Sequence, residues 1–366
     1  MQALITKDPK RLVSLDALRG FTVAGMILVN DPGSWSYIYA PFRHAAFNGL
    51  TLADLVFPFF LFIVGASIFL ALGRRIESNF PKKEILKKVF LRSLLIFLLG
   101  VFLNWFSSDF KEWRIVGVLQ RIALCYLLGS FIFIYVKVKW QIIISIVILL
   151  SYWVLTIFIG IPDYGWVFTH EMNWAAWVDI KFLPGETYFE NWDPEGILST
   201  FTALVNTLLG IQAARLINSV SGFGGKIKKL SIFGAVLLAA GLVMSLSFPI
   251  NKNVWSSSFA LVTSGLASLL WALMIWLIDM KDKKKWALPG IIFGMNALAA
   301  YVLHFLLLHP FKVIDIGGKT IQEWFMHHFS EVIQPETASL IWAVLCVAFC
   351  FIPIYIFYRK KIFIKL

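Results

Sequence analysis

The sequence predicts an all-α fold: a polytopic integral membrane helix bundle with about ten transmembrane helices. Three observations lead to this prediction. Of the 366 residues, 59% are hydrophobic, against roughly 45–50% apolar residues in soluble domains. Only 15% are charged, where about 25% is usual. The apolar residues also form long segments, and a soluble fold of this length has too little interior to bury them all.

The predicted helices follow from the lengths of these segments. A helix that crosses a bilayer needs about 20 mostly apolar residues. Ten segments meet this requirement, at residues 14–31, 51–72, 88–106, 115–136, 140–160, 195–217, 230–248, 256–278, 287–308 and 337–358. We therefore expect residues 1–366 to form a single transmembrane domain. No cleavable signal peptide is expected, because the first apolar segment carries charges and lacks a small-residue cleavage site.

The basic residues predict the orientation of these helices. The chain has 33 Lys and Arg residues against 21 Asp and Glu residues, and cytoplasmic loops carry the basic excess of membrane proteins. With the N-terminus inside, the outer loops hold only Arg43, Lys111, Arg114, Lys181, Lys252, Lys312 and Lys319. We expect both termini in the cytoplasm, with long outer loops at residues 32–50, 161–194 and 309–336. Because the basic residues lie in short runs between apolar segments, no nucleic-acid partner is expected.

The segment before the second predicted helix contains the most informative polar residues. Asn48 and Gly49 predict a turn. Thr51 is then suited to cap the helix, with Asp54 three residues later as in a capping box. Asp54 therefore has two interpretations, as a capping residue or as an acid that also faces a site beside His44. His44 is either an incidental loop residue or a general base or nucleophile.

Polar side chains inside apolar segments are costly in a bilayer and are candidates for function. Arg121 lies about 9 Å inside the predicted outer end of the fourth helix. There it needs an anionic partner or a water-filled cavity, and it is either a structural or a binding residue. Three asparagines within apolar helices predict hydrogen bonds between helices, namely Asn30, Asn206 and Asn296.

The predicted outer loop 161–194 combines acidic and aromatic residues. Its acids are Asp163, Glu171, Asp179, Glu186, Glu190 and Asp193, and its indoles are Trp166, Trp174, Trp177 and Trp192. This composition suits the binding of a cationic sugar by charge and ring stacking. It equally suits a solvated loop beside an interfacial aromatic belt. At its end, Asp193-Pro194-Glu195 predicts ordinary initiation of the sixth helix, with Asp193 as the N-cap.

Several chemistries lack the residues that they require. The three cysteines lie inside apolar segments without the spacing of a zinc site, so no metal is expected. The sequence contains no P-loop, no GxGxxG and no GxSxG motif. Neither nucleotide hydrolysis nor serine hydrolase chemistry is therefore indicated.

Six stretches in the same order resemble a known family. They are RLVSLDALRG at 11–20, HAAFNGLTLADLVFP at 44–58, GVLQRIA at 117–123, DPEG at 193–196, NKNVWSSS at 251–258 and GMNAL at 294–298. They are similar to the transmembrane acyltransferases related to heparan-α-glucosaminide N-acetyltransferase, which include NagX-like bacterial proteins. The resemblance extends from about residue 11 to residue 310.

The resemblance implies acetyl-CoA as the donor and the amine of a terminal glucosamine as the acceptor, at a bacterial inner membrane. It implies that His44 is the catalytic histidine, Asp54 its acidic neighbour and Asn30 a polar member of the same pocket. Arg121 falls on a matching position, and we hypothesise that it holds the CoA phosphates. Within the matching stretches we further assign cofactor binding to Asn296 and Ser257, and acceptor binding to Asn48, Asp193, Glu195 and Trp255.

Two mechanisms and two further functions are consistent with the sequence. His44 either takes a proton from the attacking amine in a ternary complex, or is itself acetylated and passes the acetyl group on. The helices, the buried charges and the aromatic loop equally suit an amino-sugar permease that performs no chemistry. An O-acetyltransferase of envelope glycans would keep the donor and change the acceptor. The resemblance also allows a homodimer in the lipid bilayer.

Overall fold

The structure is a computed structural model that describes residues 12–364, and its described part is helical, with isolated β-bridges and no β-strand. The all-α prediction is therefore confirmed. The helices are α1 Val13–Asn30, α2 Leu52–Glu77, α3 Lys82–Ser107, α4 Val118–Tyr135, α5 Val138–Phe158, α6 Trp174–Phe182, α7 Ile197–Asn218, α8 Phe223–Ser245, α9 Ser257–Met274 with a π-helical continuation Ile275–Met280, α10 Leu288–Met295, α11 Ala297–Val313, α12 Ile321–Ser330 and α13 Pro335–Arg359. Arg11, where the family resemblance begins, lies outside the described residues.

The predicted transmembrane helices are present, and one of them is broken. Between residues 12 and 364, nine helices are long and apolar enough to cross a membrane, and α10 with α11 form a tenth span that is bent by 87°. The chain is thus a multi-pass membrane protein. The prediction of one continuous helix over 287–308 is wrong, because Asn296 leaves the helical conformation with φ −130° and ψ 41°. An asparagine favours such a break because its side chain competes for backbone hydrogen bonds.

Two compact units are distinguished by their internal contacts. Within the described residues, the first unit comprises residues 12–44, 51–57 and 271–364. Its α1 packs against α10 at Gly20 and Gly294, where a β-carbon on either glycine would collide with the backbone of the other helix. The start of α1 is capped by Asp279, whose carboxylate accepts the Val13 N–H at 3.1 Å. Small residues at such contacts are typical of helices in bilayers.

The second unit comprises residues 45–50 and 58–270. Its α7 is the central helix. Of the 18-residue apolar stretch in each helix, 78% is buried in α7, against 28% in α3 and α5 and 22% in α8. The helices α2 and α7 approach closely at Gly65 and Gly210, where an added β-carbon would meet the Thr207 or Phe62 carbonyl. The apolar side chains left exposed on α3, α5 and α8 are suited to contact lipid.

Charge is distributed unequally between the two ends of the second unit. One end holds the α2–α3, α4–α5 and α7–α8 connections, and near it Arg215 of α7 donates to Gln141 of α5. This end carries Arg74, Arg75, Lys82, Lys83, Lys87, Lys88, Lys137, Lys139, Arg215, Lys226, Lys228 and Lys229, with the acids Glu77 and Glu84. The opposite end carries Asp109, Glu112, Asp163, Glu171, Asp179, Glu186, Glu190, Asp193 and Glu195, with the bases Lys111, Arg114, Lys181 and Lys252. One end of the unit is therefore basic and the other acidic.

Candidate active site

The structure pairs His44 with Asp54 in the first unit. His44 lies in the loop before α2, and Asp54 lies in the first turn of α2. Their side chains meet with 2.7 Å between Nδ1 of His44 and Oδ1 of Asp54. Asp54 is fully buried, whereas the side chain of His44 keeps 32% of its surface exposed. The acid is thus held inside the protein and the imidazole reaches outward from it.

The second oxygen of Asp54 caps α2. Oδ2 accepts the backbone N–H of Thr51 at 3.1 Å and the Thr51 hydroxyl at 3.0 Å. The contact with the backbone N–H is one half of a capping box. Asp54 therefore makes the contacts that both interpretations require, since one oxygen caps the helix and the other contacts His44. Its place in a functional site stays a prediction. The cap fixes the carboxylate, and the carboxylate fixes the ring.

This contact determines which ring nitrogen of His44 carries the proton. When Asp54 is ionised, its carboxylate only accepts hydrogen bonds, and Nδ1 of His44 then carries the proton that it donates to Asp54. In the neutral ring, Nε2 then has a lone pair. The same carboxylate stabilises the positive charge that forms when Nε2 takes up a proton. The pair can therefore act as a general base or as a nucleophile.

Asn30, the third predicted catalytic residue, is the last residue of α1, and its side chain is exposed. No hydrogen bond of this side chain is seen within residues 12–364. Its membership of the His44 pocket stays a prediction. The next residue, Asp31, is buried and forms an ion pair with Lys312 at 2.8 Å. This pair was not predicted from the sequence, because its members are far apart in the chain.

Asn48 belongs to a short clamp in the second unit. Its Oδ1 accepts the Asn251 amide at 3.0 Å, and the neighbouring Gly49 N–H donates to the Ile250 carbonyl at 2.8 Å. A longer contact of 3.4 Å joins the Asn253 amide to the Ala46 carbonyl. The predicted turn at 48–49 is thus held against the stretch 250–253. These two segments belong to two of the motifs that carry the resemblance, 44–58 and 251–258. Asn48 itself remains exposed.

Asp193 and Glu195 share one arginine, Arg114. Its Nε and Nη2 contact the two oxygens of Asp193 at 2.6 and 2.7 Å, and Nη2 also contacts Glu195 at 2.8 Å. Burial alone would raise the pKa of Asp193, but the hydrogen bonds and charge of Arg114 hold that pKa below its ordinary value. Burial likewise opposes the charge of Arg114, and the two acids raise its pKa above the ordinary value. The three groups form a buried, charged network.

The expected start of the sixth predicted helix is corrected by the structure. The helix begins at Ile197, with Gly196 as N-cap, whereas the sequence analysis assigned the cap to Asp193. Asp193 instead accepts the Glu195 N–H at 2.9 Å within a turn. The Ile197 N–H is capped by Asp179 from α6, at 3.0 Å. Burial raises the pKa of Asp179 to about 6.

Arg121 lies in α4 and is buried beside the same turn. Its Nη2 donates to the Pro194 carbonyl at 2.7 Å and to the Ser199 hydroxyl, and its guanidinium lies 5.0 Å from the centre of the Trp255 ring. Nε and Nη1 are buried without a hydrogen-bond partner in the described part of the protein. Arg121 thus anchors the start of α7 and keeps two buried N–H groups without a partner among the described residues.

Trp255 and Ser257 are buried in the second unit and already hydrogen-bonded. The Trp255 indole N–H donates to Asn206 at 2.8 Å, and the Ser257 hydroxyl donates to the Leu149 carbonyl at 2.7 Å. The amide of Asn206 also donates to the Ala260 carbonyl of α9 at 3.1 Å. Asn206 therefore connects α7 with α9, as predicted. The roles assigned to Trp255 and Ser257 in binding stay predictions.

Asn296, assigned to the cofactor, lies at the break between α10 and α11. Its side chain is buried and contacts the backbone of two residues after α13. The amide donates to the Ile362 carbonyl at 3.0 Å, and Oδ1 accepts the Ile364 N–H at 2.9 Å. Asn296 thus joins distant parts of the first unit, although its partner is backbone after a helix rather than another helix.

The loop 161–194 divides its acids into two groups. Asp179 and Asp193 are buried in the network around α7, whereas Asp163, Glu171, Glu186 and Glu190 are exposed. Its tryptophans divide similarly, since Trp192 is buried and Trp166 is 78% exposed. The exposed members leave both interpretations of this loop open. Among the described residues, no group of three or more His, Cys, Asp or Glu is arranged to hold a metal ion.

The partners of Arg114 and Asp179 were not predicted from the sequence. Neither residue lies in a motif, and their partners are 79 and 18 positions away in the chain. One available signal was the shortage of basic residues in the predicted outer loops, which left few cations to neutralise Asp193. The pairing itself depends on how the loops fold over the ends of α4 and α7.

Comparison with known proteins supports the predicted resemblance. Residues 11–188 match the family model described as heparan-alpha-glucosaminide N-acetyltransferase, catalytic. The chain is 28% identical to the heparan-alpha-glucosaminide N-acetyltransferase of Mus musculus, over 97% of this chain and 60% of that relative. It is 27% identical to the protein of the same name from Homo sapiens, over 98% of this chain and 60% of the relative. The resemblance is confirmed, and the chain spans about 60% of the length of these relatives.

Proposed function

We propose that this protein is a membrane-embedded acetyltransferase that moves an acetyl group from acetyl-CoA to the amine of glucosamine or of a glucosamine-terminated glycan. The observation that carries the proposal is the His44–Asp54 pair, at 2.7 Å, within the segment that matches the catalytic family model. The names of the similar mouse and human proteins supply the reaction class. The pair supplies the base that such a reaction requires.

The reaction replaces a thioester with an amide. The amine nitrogen attacks the acetyl carbonyl carbon, the C–S bond breaks, and CoA leaves as a thiol once its sulfur has been protonated. Nε2 of His44 removes the proton that the nitrogen loses and passes it towards the sulfur. Asp54 keeps the ring oriented and balances the charge of the imidazolium. Proton transfer by a positioned side chain typically contributes about 10²–10⁴-fold to a rate.

A second route uses the same geometry. Nε2 of His44 attacks the thioester itself, releases CoA and holds the acetyl group until the amine of the sugar takes it. Both routes need Nε2 unprotonated and Nδ1 bonded to Asp54. They are distinguished by the acetylated His44, which accumulates in the second route when acetyl-CoA is supplied without an acceptor.

The residues proposed to bind acetyl-CoA differ in the hydrogen-bonding groups that they have available for a ligand. Arg121 retains two buried donors without partners, which suits a phosphate. Asn296 presents a carboxamide that already accepts and donates one bond each. Ser257 has used its hydroxyl proton on the Leu149 carbonyl and can only accept a further bond. We therefore rank Arg121 and Asn296 above Ser257 as donor-binding residues.

The residues proposed to bind the acceptor are ranked in the same way. Asn48 is exposed, and its amide nitrogen is suited to a sugar hydroxyl. Glu195 is partly buried beside Arg114 and keeps one oxygen for a cationic amine. Asp193 is neutralised by Arg114 and fully buried, so its role is to hold the loop in place. Trp255 is buried, and its indole N–H already donates to Asn206. Its proposed role is therefore to position Arg121, whose guanidinium lies against its ring.

We further propose that the protein lies in a bacterial inner membrane with both termini in the cytoplasm. The basic end of the second unit then faces the cytoplasm and the acidic end faces outward, as the distribution of Lys and Arg in membrane proteins favours. A single transmembrane domain over the whole chain and a homodimer stay predictions.

One observation favours a second function, an amino-sugar permease. Discontinuous helices such as α10 and α11 mark the binding sites of many transporters. An O-acetyltransferase of envelope glycans would use the same His44–Asp54 pair on a hydroxyl group.

The test uses purified protein in nanodiscs with acetyl-labelled acetyl-CoA and glucosamine, followed by mass spectrometry of the product. Labelled N-acetylglucosamine is expected. Absence of any acetylated sugar, together with acetyl-CoA-independent uptake of N-acetylglucosamine into proteoliposomes, would contradict the proposal and favour the permease. Acetyl transfer only to hydroxyl groups would identify an O-acetyltransferase.

A further inference from the structure

Asn296 holds an extended segment of backbone in the manner of a neighbouring β-strand. Its amide donates to the Ile362 carbonyl at 3.0 Å, and its Oδ1 accepts the Ile364 N–H at 2.9 Å. The two backbone groups flank Phe363, so that one carboxamide closes a ring with two successive peptide bonds. The carboxamide is buried and lies at the break between α10 and α11.

The segment 362–364 reaches Asn296 through a tight reversal after α13. Lys361 adopts a left-handed conformation with φ 58°, and the Ile362 N–H donates back to the Phe357 carbonyl at 2.9 Å. Two of the three side chains of the segment are poorly buried, since Ile362 and Ile364 keep 42% and 43% of their surface exposed, and Phe363 is partly buried. The two hydrogen bonds with Asn296, one donated and one accepted by its carboxamide, therefore contribute to holding the segment in place.

A carboxamide that pairs with backbone does not distinguish between side chains. Any chain with a carbonyl and an amide N–H at this spacing provides the same two partners. The pantetheine arm of CoA is such a chain, because it contains two secondary amides separated by a β-alanine unit. That unit is one methylene longer than the single residue, Phe363, between the two peptide bonds that contact Asn296.

We propose that Asn296 binds the pantetheine arm of acetyl-CoA through its amides, and that segment 362–364 occupies this carboxamide when the donor is absent. The inference rests on the proposed function, since acetyl-CoA is the donor proposed there. The segment is a displaceable occupant that competes with the donor. A binding site that is only partly available lowers apparent affinity by the available fraction.

The expected change in the Kd for CoA follows from the hydrogen bonds for which the pantetheine arm and segment 362–364 compete. Removal of one neutral hydrogen bond changes an equilibrium by about two- to thirteenfold. The matched variants are Ile364→Pro, which removes the N–H that donates to Asn296, and Ile364→Ala, which keeps that N–H and shortens the side chain. Because Ile364 lies beyond the last helix and is exposed, both variants are expected to fold, which thermal unfolding in detergent verifies.

The experiment measures equilibrium binding of CoA, which has no acetyl group to transfer, to the whole protein in nanodiscs. Ile364→Pro is expected to lower the Kd for CoA about two- to thirteenfold, while Ile364→Ala leaves it unchanged. Pantetheine is expected to show the same gain, and adenosine 3′,5′-bisphosphate, which lacks the amide arm, is expected to show none. In an Asn296→Ala background, Ile364→Pro is expected to have no effect.

Two results would overturn the inference and one would overturn the function beneath it. An unchanged or raised Kd in Ile364→Pro, in a protein that still binds CoA, shows that the segment does not compete. An equal gain for adenosine 3′,5′-bisphosphate shows that the effect does not involve the amide arm. No binding of CoA to the wild-type protein contradicts the proposed function itself and the inference with it.

Discussion

His44 and Asp54 are joined by a hydrogen bond of 2.7 Å, and the carboxylate oxygen on the other side of Asp54 caps the helix that carries it. Asp54, ten residues after His44 in the chain, thus both caps α2 and orients the imidazole. The cap prevents Asp54 from rotating away, and Asp54 prevents the ring of His44 from presenting the wrong nitrogen.

Asp54→Asn separates the two tasks of this residue. An asparagine amide facing Nδ1 of His44 donates a hydrogen bond, which moves the ring proton to Nε2 and removes the base. We expect kcat to fall by about 10²–10⁴-fold. The control is Thr51→Ala, which removes the hydroxyl bond on Oδ2 and leaves the ring contact. It is expected to lower stability by about 0.5–2 kcal/mol while kcat stays within about threefold. Equal activity in Asp54→Asn and wild type would contradict a role of Asp54 in orienting His44.

The Arg114 network predicts a large loss of stability when the arginine is removed. Arg114→Ala leaves Asp193 charged and fully buried without its partner, and breaking a buried pair in this way costs about 3–5 kcal/mol. The matched control is Lys284→Ala, which breaks an ion pair with the exposed Asp282 and is expected to cost less than about 1 kcal/mol. Thermal unfolding in detergent compares the two variants. Similar melting temperatures would show that the network does not hold the loop.

Asp179 predicts a pH dependence of stability. Burial raises its pKa to about 6, above the value of about 3.9 in an unfolded chain. Between these values the folded state binds the proton more tightly, so the free energy of unfolding falls as the pH rises from about 4 to about 6 and is level above that. Asp193 changes the stability only at lower pH. Because its pKa is lowered in the folded state, the stabilisation that it provides is lost only in stronger acid.

The variant Asp179→Asn isolates this contribution. The difference in unfolding free energy between wild type and variant is expected to shift by at most about 3 kcal/mol across the window, with the wild type favoured at the acidic side. Melting temperatures measured from pH 4 to pH 8 test the prediction. A pH-independent difference between the two proteins would show that Asp179 titrates normally.

The close approach of α2 and α7 predicts that Gly65 tolerates no side chain. A β-carbon at this position would meet the carbonyl of Thr207, and overpacking of this kind costs about 1–3 kcal/mol or more. Gly224→Ala is the control, because a β-carbon there meets nothing within 4 Å. We expect Gly65→Ala to lower the melting temperature and the yield of folded protein, and Gly224→Ala to leave both unchanged. Equal behaviour would contradict the helix packing.

Much of the fold could be predicted from the sequence, because a bilayer imposes a simple rule on each spanning helix. The break at Asn296 could not, since Asn296 lies within an apolar run and its conformation depends on bonds to residues 362 and 364. The ends of α2 and α3 were also underestimated, because charged residues such as Arg74 and Lys82 continue a helix beyond its apolar part.

The candidate site was predicted to the extent that it lies within one stretch of sequence. His44, Thr51 and Asp54 are close in the chain, and capping chemistry together with the family resemblance singled them out. Arg114 and Asp179 act on residues from other loops, so that no local pattern marks them. Asp193 was misread as a helix cap because its neighbours Pro194 and Glu195 are typical of a first turn, while Asp179 supplies the cap.

The role of His44 is tested by the rate of acetyl transfer from acetyl-CoA to glucosamine by His44→Ala in nanodiscs. The control variant is His327→Ala, which removes a half-exposed histidine of α12 that has no place in the proposed reaction. We expect kcat to fall by about 10²-fold or more in His44→Ala and to stay at the wild-type value in His327→Ala. Turnover by His44→Ala at the wild-type rate would contradict the assignment of His44 as the catalytic base or acetyl acceptor.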